Sequence, residues 1–221
     1  FSLGPNDAYY IPLAHKNTKS LQKEKVLKKI KPILEDQSIK KVGQNIKYDF
    51  IILKRNGIEI NSLEDTMLLS YVLDAGNNRH NMDTLSELHL GHKTISYKDI
   101  VGSGKNQLNF SEVSIKEATR YAAEDADVTL RLYEILSSRV DDEKLNKIYD
   151  TFEKPMVKLL SKMEMHGIKI NDSYLKELPT SVEAMKESNR KIIEAYFDAG
   201  VIYKEKLSDI PQSINTFETL N

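Results

Sequence analysis

Apolar positions in this chain change period several times, and each change marks an element. Residues 8–14, Ala-Tyr-Tyr-Ile-Pro-Leu-Ala, are rich in β-formers and predict a strand, with Pro12 placing it at a sheet edge or a strand end. Residues 21–34 keep a helical period, with Leu21, Val26, Leu27, Ile30, Ile33 and Leu34 near one face and lysines opposite. Residues 40–43 predict a short strand, residues 45–55 a helix closed by Asn56-Gly57, and residues 58–60 another brief strand. Residues 66–73 and 82–90 predict apolar helices on either side of a polar turn at Gly76-Asn77-Asn78. Residues 102–106 predict a loop, and residues 114–138 a long helix followed by the punctuation Asp141-Asp142. Residues 144–166 and 174–197 also keep a helical pattern, joined through Gly167 to Asn171, and residues 208–213 read as an irregular tail. Strands alternating with helices to about residue 138 predict an α/β domain, with a boundary near residue 140.

Composition narrows the class only a little. A chain of 221 residues can bury a real core, and 40% hydrophobic with 29% charged residues is ordinary for a globular domain. No apolar run approaches the length of a membrane span, so no membrane partner is expected. The first five residues carry no basic region followed by an apolar stretch, so no secretory signal is expected. The absence of cysteine excludes disulfides and thiolate metal sites and suits a reducing cytoplasm. A net charge of −1 argues neither for nor against nucleic acid, since an enzyme that grips one strand end through metals need not be basic overall.

Candidate chemistry lies in two short motifs, Gly43-Gln44-Asn45-Ile46-Lys47-Tyr48-Asp49 and Arg120-Tyr121-Ala122-Ala123-Glu124-Asp125-Ala126-Asp127. On helices, the i,i+4 spacing sets Asn45 beside Asp49 and Tyr121 beside Asp125. Carboxylates so placed can hold divalent ions against a phosphate. Tyr121, Asp125, Val128, Leu132 and Ile135 share one helix face, so Asp125 falls on an apolar stripe while Asp127 should be solvated. An acid on such a stripe needs a partner, which a metal, a basic side chain or a set of donors could supply. The bland alternative is a structural ion pair or an acid at the stripe's edge. Asp49 shares a face with Asn45, Ile52 and Leu53, and the bland role for Asn45 is helix N-cap.

Other candidates are weaker. Gly102-Ser103-Gly104-Lys105 is not a P-loop, because Asn106 stands where Ser or Thr is required. His80, His89 and His92 lack metal-site spacing, and the lysines of residues 23–31 read as a solvated helix face.

The extended motifs resemble a known family. Residues 41–49, Lys-Val-Gly-Gln-Asn-Ile-Lys-Tyr-Asp, are similar to the second exonuclease motif of family A bacterial DNA polymerases, the DNA polymerase I group. Residues 120–129, Arg-Tyr-Ala-Ala-Glu-Asp-Ala-Asp-Val-Thr, resemble the third motif of the same proofreading domain. Residues 64–71, 79–85, 104–108 and 163–170 resemble that group too, so the likeness runs over roughly residues 8–180. Ribonuclease D-like enzymes share the core patterns but not these linking segments. The resemblance implies a ribonuclease H-like α/β fold, followed by a helical C-terminal segment at the start of the polymerase region, over residues 141–221. It implies a 3′–5′ exonuclease that removes mispaired nucleotides during DNA replication and repair, in the cytoplasm and at the nucleoid. Two divalent ions, Mg²⁺ or Mn²⁺, would clamp the terminal phosphodiester. Asp49 and Asp125 would be metal-site carboxylates, and Tyr121 would orient the attacking water. Gln44, Asn45, Tyr48, Arg79 and Phe110 would contact the single-stranded DNA 3′ end, and the remainder of the polymerase chain would be a partner.

Two departures temper these expectations. The family's first motif is Asp-x-Glu on the opening strand, and its two acids complete the metal site. This chain starts at Phe1, in what resembles the next strand, and Asp7-Ala8-Tyr9 cannot substitute for that motif. The chain is therefore expected to lack the opening strand, to bind metal poorly and to be inactive or weak alone, as a fragment of a larger polymerase. Residues 203–221 do not match the family's passage toward the polymerase. The rival expectations are a non-catalytic structural or DNA-binding domain and a ribonuclease D-like RNA exonuclease.

Overall fold

The computed structural model describes residues 1–16, 20–104 and 107–167. Phe1–Gly167 forms one compact unit, and the second unit, Ile168–Asn221, lies outside the described residues together with the helix and tail expected there. Lys105 and Asn106 of the predicted loop also lie outside them.

The chain opens with a small antiparallel hairpin, β1 (Ser2–Gly4) and β2 (Asp7–Ala8), followed by α1 (Lys23–Glu35). Then come β3 (Lys41–Gly43), α2 (Ile46–Arg55), β4 (Leu63–Asp65), α3 (Thr66–Asp74), α4 (Met82–Leu90) and α5 (Tyr97–Val101). The long α6 (Ile115–Asp142) leads through α7 (Asn146–Ile148) and a π turn (Tyr149–Glu153) into α8 (Lys154–His166). The architecture is mixed α/β and mostly helical, with two two-stranded sheets among the described residues, β1–β2 and the parallel pair β3–β4. No described helix is long and apolar enough to cross a membrane.

Two strand expectations fail, for the same reason: the backbone groups find partners elsewhere. Beyond Ala8 the predicted strand at residues 8–14 gives way to irregular chain, where Pro12 has no N–H for a ladder and its carbonyl accepts from Leu21 N at 3.1 Å. Residues 58–60 are buried at Ile58 and Ile60, but Ile58 N donates to Leu53 O at 3.0 Å and Glu59 N to Glu35 Oε1 at 3.1 Å. The strand forms instead at Leu63–Asp65.

The main core runs between α6 and the helices α3 and α4, through Leu69, Leu85, Val128, Leu132, Leu136, Val140 and Tyr149. Val128 and Leu132 lie on the stripe expected from the sequence. A second cluster joins Ile46, Phe50, Ile60, Leu63 and Val157, which packs α8 on α2. The face of α2 that goes inward is therefore Ile46–Phe50, while Asp49 and Ile52 are open to solvent, contrary to the shared apolar face read from the sequence. On α1 only Leu34 is fully buried, and Leu21 and Ile33 are exposed. The compact unit continues past residue 140 to Gly167, because α7, the π turn and α8 pack back on α3 and α2.

Candidate active site

The first motif is built where β3 turns into α2. Gly43 leaves no room for a side chain there: a Cβ would stand 2.8 Å from Ile46 Cγ1. Asn45 follows in the left-handed region at φ 54°, a conformation that asparagine tolerates better than most residues. It occupies the N-cap position of α2, but its side chain makes no capping hydrogen bond. Capping comes from Asp65 at the end of β4, whose Oδ1 accepts from Asn45 N at 3.0 Å and whose Oδ2 accepts from Ile46 N at 2.9 Å. Oδ1 also accepts from Met67 N at 2.9 Å, so one buried carboxylate pins the site turn and caps α3 at once. The side chain of Asn45 is thus left exposed beside Tyr48, which is 68% exposed, and Asp49.

Gln44 is engaged differently. Its Nε2 donates to His80 O at 2.8 Å, and its Oε1 accepts from Thr66 Oγ1. His80 is held in turn by Ser70 Oγ at 2.9 Å and lies edge-on to Tyr71, 5.5 Å between ring centroids. Gln44 thereby ties the site turn to the stretch carrying Arg79, which is exposed and has no ion pair among the described residues.

The second motif sits in the middle of α6. Burial is the main cause that pushes the Asp125 carboxyl up to about 6, with Glu124 and Asp83 adding repulsion against the hydrogen bond from Tyr121. Asp125 Oδ1 is buried without a hydrogen-bond partner, an arrangement that disfavours the bare carboxylate. Burial and the Asp125 charge also raise the Tyr121 hydroxyl, keeping it protonated. The Tyr121 ring is set by Tyr97 and Phe110, with centroids at 5.9 and 6.0 Å. Phe110 is the hub of this aromatic group, since Tyr10 and His15 also meet it, at 6.3 and 6.0 Å. Its evident contact is with Tyr121, rather than with open solvent.

Asp49 contrasts with Asp125. It is open to solvent at the first turn of α2, yet the protein around it desolvates the carboxyl enough to raise its pKa, with Asp65 adding repulsion. The strand β3 packs on α6, and Lys40 Nζ donates to Tyr133 OH at 3.1 Å across that contact. The two motif elements are therefore neighbours, while each acid answers mainly to different charges. Among the described residues no three acidic or histidine groups gather closely enough to hold a metal ion. What the chain offers a cation is the orphaned oxygen of Asp125, with the exposed carboxylate of Asp49 as the other sequence-expected ligand.

Several residues in this region carried no role in the sequence reading. Asp127 is shielded rather than solvated, because it accepts from Asn6 N of the hairpin turn and pairs with Arg131 at 3.5 Å. Glu124 accepts from Ile95 N at 2.6 Å and meets His92 Nε2 at 2.9 Å, and Asp83 accepts from Thr94 Oγ1 at 2.6 Å. Asp65 alone had a local signal, an acid immediately before the apolar helix that begins at Thr66.

The start of α2 thus presents Asn45, Tyr48 and Asp49 to solvent, and α6 carries Tyr121 and the half-buried Asp125. Residues 1–141 match the family described as 3'-5' exonuclease, that of the A-type DNA polymerases, and the chain belongs to this family. DNA polymerase I of Rhizobium leguminosarum is 45% identical over 204 residues, covering 87% of this chain and 20% of that protein. DNA polymerase I of Pseudomonas aeruginosa is 37% identical over 211 residues, covering 90% of this chain and 23% of that protein. The chain thus spans about a fifth of the length of these relatives. The solved POL domain of Pol1 from M. smegmatis, in complex with DNA primer-template and dNTP, aligns with a TM-score of 0.56 at 16% identity. That alignment covers 84% of this chain and 28% of the other, and it speaks to the fold.

Proposed function

We propose that the chain is the 3′–5′ proofreading exonuclease portion of a DNA polymerase I-like protein, with a ribonuclease H-like core over residues 1–140 and the start of the polymerase region after it. The observation that carries this reading is the partnerless oxygen of Asp125 beside the Tyr121 hydroxyl, in a chain of this family. Asp49 and Asp125 would hold two divalent ions, Mg²⁺ or Mn²⁺, as hard oxygen ligands suit such ions. Bound there, the ions would supply Lewis-acid activation of a water and charge neutralisation at the leaving oxygen.

The chain's own residues do the rest. Tyr121, kept protonated by burial and fixed by Phe110 and Tyr97, can accept a hydrogen bond from the attacking water or donate one to the scissile phosphate. Tyr48 offers an exposed ring on which a terminal base can stack, and Asn45 an unengaged amide beside it. Arg79 supplies a cation for a backbone phosphate. The role for Gln44 is to hold the turn, given that both ends of its amide are already bonded; the role for Phe110 is to hold Tyr121.

The lack of a three-ligand metal cluster among the described residues favours one second reading, a domain that keeps the fold and binds DNA without cutting it. The two readings separate in one assay. Single-stranded DNA and RNA of the same sequence, labelled at the 3′ or 5′ end, are incubated with Mg²⁺ or Mn²⁺ and the chain, with or without the family's Asp-x-Glu strand placed ahead of Phe1. Release of mononucleotide from the 3′ end of DNA, strongest with the added strand, supports the exonuclease. Preference for RNA points to a ribonuclease D-like enzyme, and binding without release from either form favours the non-catalytic domain.

A further inference from the structure

The exonuclease family match ends at residue 141, yet the structure continues the same compact unit to Gly167, and the added stretch reaches back to the site turn. We infer that Tyr149 is a positioning residue for the site, through which the segment after α6 holds the turn carrying Asn45 and Asp49. This inference rests on the exonuclease reading only for its effect on catalysis; the positioning itself is a matter of structure.

The connection runs through β4. Tyr149 is 3% exposed, and its hydroxyl donates to Glu64 Oε2 at 2.9 Å while accepting from Asp65 N at 3.0 Å. Lys154 Nζ closes the group by donating to Glu64 Oε1 at 2.6 Å. Among the described residues β4 pairs with β3 alone, so its other edge has no strand beside it. The Tyr149 hydroxyl takes the place of that strand at the residue whose carboxylate pins Asn45 and Ile46. Glu64 and Asp65 are adjacent, so their side chains point to opposite faces, Glu64 toward Tyr149 and Asp65 toward the site turn. A shift of Tyr149 must therefore move the pin.

Local backbone form fits this role. Tyr149 begins the π turn Tyr149–Glu153, a feature that rotates side chains away from the regular helical register. Farther on, Val157 packs with Ile46 and Phe50, and Lys47 pairs with Glu164, so α8 backs the helix that carries Asp49. Core packing alone would need only the ring of Tyr149. The buried hydroxyl, bonded on both sides, is what a purely apolar contact would not require.

Tyr149→Phe keeps the ring and removes the hydroxyl. In the chain as given, amide hydrogen exchange followed by NMR should speed up at Asn45 and Ile46 by roughly tenfold or more, with Val128 and Leu132 in α6 unchanged. In the version carrying the Asp-x-Glu strand, kcat for nucleotide release should fall by about tenfold with KM within about twofold, as for loss of an outer support of a site. Unchanged exchange at Asn45 and Ile46 would overturn the inference, and so would an unchanged kcat in an active enzyme. An inactive wild type would sink the exonuclease reading instead, leaving the exchange result to decide the positioning. Should Tyr149→Phe fail to fold, Glu64→Ala removes the acceptor that orients the hydroxyl; acceleration at the same two amides supports the connection, and none contradicts it.

Discussion

The two halves of the proposed site differ in how they are held. Asp49 stands at the start of a ten-residue helix, open to water, in a turn kept in place by backbone hydrogen bonds to Asp65. Asp125 stands in the middle of a 28-residue helix, over a packed core, with one oxygen buried and unpartnered. The first half is positioned by polar contacts and is open to solvent. The second is positioned by apolar packing and holds its carboxylate in an environment that disfavours the charge. One half thus keeps access, and the other keeps a carboxyl whose charge the fold disfavours.

Substitutions test this contrast with unequal force. Asp125→Ala, in the version carrying the Asp-x-Glu strand, is expected to cut nucleotide release by about 10³-fold while the helix stays folded, which initial rates and circular dichroism would check. Asp65→Ala should be the most destabilising change near the first half. It removes three charge-assisted hydrogen bonds from backbone groups and should cost about 3 kcal/mol in urea unfolding, with faster exchange at Asn45 and Ile46. Tyr48→Ala should leave stability alone and raise KM for single-stranded DNA roughly tenfold, since one stacked base is worth about 1–3 kcal/mol. An unchanged KM would remove Tyr48 from the DNA path.

The smallest effect concerns pH and is worked out for the second half. The Asp125 carboxyl, raised from 3.8 to about 6 in the fold, makes folding costlier once it must ionise. Below about pH 3 the cost is absent, because the acid is protonated in both states. As pH rises from there to 6 the unfolded chain ionises first, so stability falls, and above 6 the full cost applies. In chelator, Asp125→Asn should therefore stabilise the protein by about 1 kcal/mol at pH 7.5, after discounting for its partial exposure, and by nothing at about pH 3. A stabilisation equal at both pH values would mean that the charge is not its source. Substituting Asp49 by Asn should give a gain of the same sign, because desolvation raises that carboxyl too.

Much of the second half was legible in the sequence, because a long helix with a strong period reports its own faces. Val128 and Leu132 are buried where the stripe predicted, and Asp125 lies on the same side. The first half was legible as a motif but not as geometry. Its helix is short, its apolar residues satisfy more than one face, and the inward side proved to be Ile46 and Phe50. Asn45 looked like a cap, and the cap proved to be Asp65, twenty residues away. Bonds of that kind, like those of Asp127 to the hairpin and Tyr149 to β4, have no local signature because both partners are common residues joined only by the fold. Short strands were misread for a related reason: residues 58–60 are apolar and buried, and only the competing hydrogen bonds to Leu53 O and Glu35 decide that they do not pair.

In the proposed function the two motifs, so differently held, form one hydrolytic site. The measurement that tests it most directly is a double-mutant cycle on metal-dependent nucleotide release from 3′-labelled single-stranded DNA, using Asp49→Ala, Asp125→Ala and both together in the version carrying the Asp-x-Glu strand. Each single change is expected to remove nearly all activity and the double change to lose little more, the non-additivity of groups acting as a unit. Losses that simply multiply, or a single variant as active as the wild type, would contradict it.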